Sequence, residues 1–73
     1  VNSISPEELQ RIASEGADIY DGIRAQYESH KGRFLAIEID SKEVFLSDSS
    51  ADALATARAK YPEKLFYVVK IGT

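Results

Sequence analysis

The spacing of the apolar residues changes at Gly32, and this change constrains the fold more than any other feature of the sequence. Before Gly32, apolar residues recur three and four positions apart, as on one face of an α-helix. After Gly32, Leu35, Ile37 and Ile39 alternate with other residues, as on one face of a β-strand. The chain therefore combines helices and strands. The helical stripe consists of Leu9, Ile12, Ala13, Gly16, Ile19, Tyr20, Ile23 and Tyr27.

The start of the first helix is marked by Ser5-Pro6-Glu7-Glu8. Ser5 can accept a hydrogen bond from the Glu8 N–H, and proline is well tolerated at the first helical position. The stripe predicts one helix over 6–30 that ends before Gly32. Gly16 lies on the stripe, so it permits either close approach of another backbone or a bend.

The rest of the chain has the pattern of two strands, a helix and a third strand. Asp40-Ser41-Lys42 has turn chemistry, which predicts a hairpin. Ser49 can cap the alanine-rich helix, and Pro62 ends it. The predicted elements are a strand over 33–40, a strand over 43–47, a helix over 51–61 and a strand over 65–71.

This element order predicts an α+β fold of helix-strand-strand-helix-strand topology, in a single domain over 1–73. The second helix returns the chain across the sheet, so the third strand can lie antiparallel to the first on its free edge. We therefore predict a three-stranded antiparallel sheet of order 2-1-3, with two helices packed on it. A right-handed crossover places the second helix on one face, and we expect the first helix beside it.

Length and charge limit the classes of function. A domain of 73 residues without cysteine has no disulfide and no thiolate metal site, so its stability comes from packing, which a second chain can share. Twelve acidic residues outnumber nine basic ones, which disfavours direct binding to nucleic acid. No signal peptide or membrane-spanning run is visible, so we expect a cytoplasmic protein and no membrane contact.

Groups that carry chemistry are present, but they do not form a recognisable site. His30 is the only histidine, and we expect it to interact with a helix C-terminus rather than to act as a base or ligand. Acidic pairs and Asp48-Ser49-Ser50 are read as solvated charge and as a helix cap. We predict no enzyme, no catalytic residue, no metal and no cofactor. The acidic residues expected to be solvated are Asp18, Asp21, Glu38, Asp40 and Glu43, and the basic residues near His30 are Lys31 and Arg33, with Lys64 and Lys70 as further candidates.

A second apolar face of the sheet supplies the functional hypothesis. Two helices on one face would leave the other face open, and exposed apolar patches mark interaction sites. The alternative is that the helices divide between the two faces, and the patch is then ordinary core. The predicted partner-binding residues are Tyr20, Ile23, Tyr27, Phe34, Ala36, Phe66 and Val68.

The segment from Lys31 to Ile37, Lys-Gly-Arg-Phe-Leu-Ala-Ile, resembles a strand motif of very small prokaryotic α+β domains of unknown function. That motif has the form K-G-[KR]-[FW]-x-A-I, followed by a hairpin and a helix. The resemblance covers most of the chain from about Ile19 onward. It implies a compact α+β fold and defines no catalytic residue. Some relatives are suspected to belong to antitoxin-like or regulatory pairs.

Taken together, these features favour a non-catalytic protein-interaction or regulatory module. It would bind itself, as a possible homodimer, or another protein through the first helix and an apolar sheet face. The alternative is an antitoxin-like regulator that contacts nucleic acid directly or through a partner. A small-ligand enzyme that uses His30 and nearby acids is the least favoured hypothesis.

Overall fold

The computed structural model describes residues 5–72 and contains two α-helices, a 3₁₀ segment and three strands. The helices are α1 and α2, the strands are β1 to β3, and the 3₁₀ segment follows α1 directly. Their bounds are α1 Pro6–Ile23, the 3₁₀ segment Arg24–His30, β1 Phe34–Glu38, β2 Glu43–Ser47, α2 Ser50–Lys60 and β3 Phe66–Lys70.

The three strands form one antiparallel sheet of order β2-β1-β3, which confirms the predicted topology. β1 lies at the centre, so it is covered on both faces and both edges. Leu35 is opposite Leu46 on one side and Val69 on the other. The predicted strands β1 and β3 are each slightly shorter in the structure, because their end residues belong to turns and connections.

Both helices begin where the sequence indicates. The Ser5 side chain accepts a hydrogen bond from the Glu8 N–H at 3.2 Å, and Ser49 accepts one from the Asp52 N–H at 3.1 Å. Each bond satisfies one of the amide groups that lack an intrahelical partner at a helix start. α2 ends at Lys60, just before Tyr61 and Pro62, as the proline predicts.

The first helix is shorter than predicted. The α-helix ends at Ile23, and the chain continues as a 3₁₀ segment with non-helical torsions at Tyr27. The segment consists of two short 3₁₀ turns on either side of a kink at Tyr27, and it follows Gly22, a poor helix former. The helix is not interrupted at Gly16. A Cβ at that position would overlap the Tyr67 side chain, so the role of Gly16 is close packing on β3.

The two helices lie on opposite faces of the sheet, which corrects our expectation that they pack side by side. Leu35 and Ile37 face α1, whereas Ala36, between them, faces α2. Side chains alternate between the faces of a strand, so the apolar run of β1 fills two cores. The α1 side contains Leu35, Ile37, Ile71, Ile19, Tyr20, Ile23, Tyr27, Val44, Leu46, Tyr67 and Val69, and the α2 side contains Ala36, Ala53, Ala57, Phe34, Phe45, Phe66 and Val68.

Candidate interaction surface

The seven residues predicted to bind a partner divide into two groups on opposite faces of the sheet. Tyr20, Ile23 and Tyr27 pack against the buried residues Leu35 and Ile37. Each of the three remains partly exposed, because α1 and the 3₁₀ segment lie at the surface. The structure therefore does not combine all seven residues into one continuous surface.

The second group lies beneath α2. Ala36 has no exposed surface and packs against Ala53 and Ala57, so it cannot touch a partner while α2 is in place. Phe34, Phe66 and Val68 surround this contact and are half-buried. The sheet face that the sequence analysis left open is therefore covered, because small alanine side chains let α2 approach β1 closely.

Leu9 is the one large apolar side chain among residues 5–72 that is mostly exposed, at 54%. It lies in the first turns of α1, at the rim of a cleft of about 200 Å³. Phe66 and Val68 of the predicted set line the same cleft, together with Leu54 of α2. The remaining lining residues are Ile12, Arg58, Lys64 and Leu65.

Leu9 belongs to the apolar stripe of α1, and a straight first helix was expected to expose one end of that stripe, although the sequence did not say which end. The available signal was its position in the first turns of a helix that is longer than the strands it packs on. α1 is 18 residues long, about 27 Å, whereas a five-residue strand is about 17 Å long. One end of the stripe therefore extends past the sheet.

A charged cluster lies beside this cleft, at the hairpin turn. Asp40 accepts hydrogen bonds from Arg11 of α1 at 2.9 Å and from Lys64 at 2.9 Å. Hydrogen bonds from Lys64 and Arg11 lower the pKa of Asp40. The same pairing raises the pKa of both bases. These contacts join the start of α1, the hairpin and the connection before β3.

Glu38 was grouped with solvated carboxylates from the sequence, and the structure corrects this. Its side chain is 1% exposed and accepts hydrogen bonds from the N–H groups of Asp40 and Ser41, at 3.1 and 2.9 Å. Burial alone would raise the pKa of Glu38. The hydrogen bonds from Ser41 and Asp40 outweigh burial, so the pKa is lowered. Glu38 therefore fixes the hairpin turn as a buried carboxylate.

The other end of the sheet carries the remaining groups considered for chemistry. His30 Nδ1 is 3.2 Å from Arg33 Nη1, and Arg33 also donates to Asp48 at 2.8 Å. Asp48 is thus an ion-pair partner, whereas Ser49 is the helix cap. A nearby cleft of about 370 Å³ is lined by Tyr20, Arg24, Ala25, Glu28, Lys31, Ile71 and Gly72, without His30.

Two further findings concern metals and membranes. Over residues 5–72, no three histidine or acidic side chains lie close enough together to hold a metal ion. In the same part of the chain, neither helix combines the length and the apolar character needed to span a bilayer.

Asp21, which was predicted to be solvated, forms an exposed ion pair with Arg24, with 3.6 Å between the carboxylate and the guanidinium.

Comparison of the chain with protein-family models, with curated proteins and with solved structures finds no match.

Proposed function

We propose that the protein is a non-catalytic protein-interaction module that binds a partner through the cleft bordered by Leu9. The observation that carries the proposal is the mostly exposed Leu9 side chain beside an apolar cleft. Fully burying a leucine side chain contributes about 1.5–3 kcal/mol, and Leu9 is 54% exposed, so a partner that covers it gains roughly half of that.

The surroundings of Leu9 support a protein partner rather than a small ligand. The cleft is open and small, at about 200 Å³, whereas ligand pockets are usually about 300–1,000 Å³. Its lining combines apolar residues from α1, α2 and β3 with the exposed basic residues Arg58 and Lys64. An apolar centre with a charged rim is the usual composition of a protein interface.

The predicted residues on the α1 side belong to the same proposal as secondary contacts. Tyr20, Ile23 and Tyr27 are partly exposed, and tyrosine is enriched at interfaces. The absence of cysteine fits a reducing compartment, so we propose that the module acts in the cytoplasm. A regulatory role in a pair with a partner protein is compatible with this surface.

Direct contact with nucleic acid receives less support. Within residues 5–72, at least five lysine and arginine residues form ion pairs with carboxylates, so their charges are already partly neutralised. Binding to a phosphate backbone requires several cations on one surface. The paired residues are Arg11, Arg24, Arg33, Lys60 and Lys64.

The experiment is affinity capture from extracts of the native host, followed by mass spectrometry, with two matched variants. Leu9→Asp places a charge at the cleft, and Gln10→Asp adds the same charge at an exposed neighbouring position of α1. We expect Leu9→Asp to reduce capture of the specific partner at least about tenfold, and Gln10→Asp to leave it unchanged. Equal capture by both variants would exclude the cleft as the binding surface.

A further inference from the structure

β2 forms the edge of the sheet opposite β3, and some of its backbone N–H and C=O groups do not pair with β1. The Ile71 N–H donates to the Arg33 carbonyl at 2.8 Å, which fixes the hydrogen-bonding phase of the antiparallel sheet. Hydrogen-bonded pairs alternate along antiparallel strands. In β1, every second residue therefore bonds to β2, beginning at Phe34. In β2, the N–H and C=O groups of Val44 and Leu46 consequently point away from the sheet.

The side chains of Val44 and Leu46 form a small, partly exposed apolar surface beside this edge. Val44 and Leu46 lie on the α1 side of the sheet and are only half-buried. α1 packs on β3 and β1, and among residues 5–72 its backbone does not come close to that of β2. An edge strand with outward-facing backbone groups and apolar side chains can pair with another strand.

We propose that β2 pairs with β2 of a second copy of this chain, antiparallel and about a two-fold axis at Phe45. In this register, Val44 of each copy lies opposite Leu46 of the other, and four backbone hydrogen bonds form between the copies. If the axis passed through Val44, Leu46 would lie opposite a residue outside β2 of the other copy. An axis through Leu46 would do the same to Val44. The result is a continuous six-stranded sheet with an isologous interface.

The charges at the ends of β2 are complementary in this register. Lys42 precedes the strand and Asp48 follows it, so the axis at Phe45 places Lys42 of each copy opposite Asp48 of the other. Within one chain they are about 20 Å apart, too far to pair. Among residues 5–72, no carboxylate pairs with Lys42, and the Asp48 side chain is 85% exposed despite its bond to Arg33.

This interface lies at the edge opposite the Leu9 cleft, so it extends beyond the proposed function. Dimerisation would leave the cleft free and give each assembly two copies of it. Two linked binding sites raise the effective affinity for a partner that presents two copies of its own surface.

The test is sedimentation equilibrium over a range of concentrations, with charge reversals at β2. We expect the wild-type chain to form a dimer, and Lys42→Glu or Asp48→Lys each to raise the dimer dissociation constant about fivefold or more, because two ion pairs are lost together. Mixing the two single variants in equal amounts should restore dimerisation, since the heterodimer has Glu opposite Lys at one end and Asp opposite Lys at the other.

Several controls show whether a dimer forms through the β2 edge. Thermal unfolding of each variant checks its fold, and Asp48→Asn replaces Asp48→Lys if repulsion from Arg33 prevents folding. Leu9→Asp should leave the dimer unchanged. A wild-type chain that stays monomeric throughout overturns the proposal, as does a dimer that the reversals do not weaken or that Leu9→Asp abolishes. The Leu9 proposal is judged separately by partner capture.

Discussion

Gly16 of α1 lies directly against the ring of Tyr67 in β3. A Cβ at Gly16 would overlap the Cβ and Cγ of Tyr67 and lie 2.8 Å from its Cδ1. The absence of a side chain therefore sets the distance between α1 and the sheet. Close approach at this point lets Ile19 and Ile23, further along α1, reach the buried residues Leu35 and Ile37.

We expect Gly16→Ala to destabilise the protein by about 1–2 kcal/mol. The new Cβ meets atoms near the β3 backbone, which cannot move without shifting the strand, and overpacking of this kind costs about 1–3 kcal/mol. Overlap with two Tyr67 atoms places this case in the upper part of that range, at about 2–3 kcal/mol, of which the better helix propensity of alanine returns about 1 kcal/mol. Urea unfolding measures the difference.

Gly22→Ala is the matched control in the same helix. Nothing lies within 4 Å of a Cβ at Gly22, so the substitution creates no clash. We expect it to stabilise the protein by up to about 1 kcal/mol through helix propensity. If Gly16→Ala were as stabilising as Gly22→Ala, the close packing of α1 on Tyr67 would be wrong.

Glu38→Gln should destabilise the protein by about 1–3 kcal/mol. The amide has one acceptor oxygen, and its NH₂ group would face an N–H donor of the hairpin turn in a buried site. Glu63→Gln is the control, because Glu63 is exposed in the connection before β3, and we expect a change within about 0.5 kcal/mol. Urea unfolding of both variants compares them, and equal effects would contradict a structural role for Glu38.

Stability should fall in acid. The pKa values of Glu38, Asp40 and Glu43 are all lowered in the folded protein. A carboxyl group with a lowered folded pKa contributes stability above its unfolded pKa and loses it as the pH falls through its folded pKa. We therefore expect the free energy of unfolding to decline below about pH 4. The decline should be shallower in Glu38→Gln, and urea unfolding across this pH range would show whether it is.

Salt should change the effect of a substitution at Asp40 on the melting temperature, but not the effect of one at Glu38. Asp40 and its partners Arg11 and Lys64 are about half exposed, so salt screens their attraction. We expect Asp40→Asn to lower the melting temperature slightly at low salt and to have no effect in about 1 M NaCl. The loss in Glu38→Gln should persist there, since its hydrogen bonds are buried. Thermal unfolding at both salt concentrations separates the two cases.

The helix caps, the hairpin and the sheet order could be predicted because each depends on local signals. Ser5 and Ser49 lie three residues before the amide groups that they cap, and the helix between β2 and β3 brings β3 to the free edge of β1. The close approach at Gly16 was one of two roles that its position on the stripe allowed.

Which face of the sheet each helix covers could not be predicted from such local signals. The handedness of crossover connections restricts α2, which joins two parallel strands, but it places no restriction on α1, which only precedes the sheet. The informative signal was β1 itself. Its run Phe34–Ile37 is apolar on both faces, which is typical of a strand buried on both sides. The burial of Glu38 depends on the turn geometry and left no signal in the apolar pattern.

The most direct test of the central claim is a methyl NMR titration of the chain with its captured partner. The account predicts that the methyl resonances of Leu9, Leu54 and Val68 shift together and saturate at one stoichiometry, while Val44 and Leu46 at the opposite edge do not shift. Binding that leaves Leu9 and Leu54 unshifted would contradict the assignment of this cleft as the interaction surface.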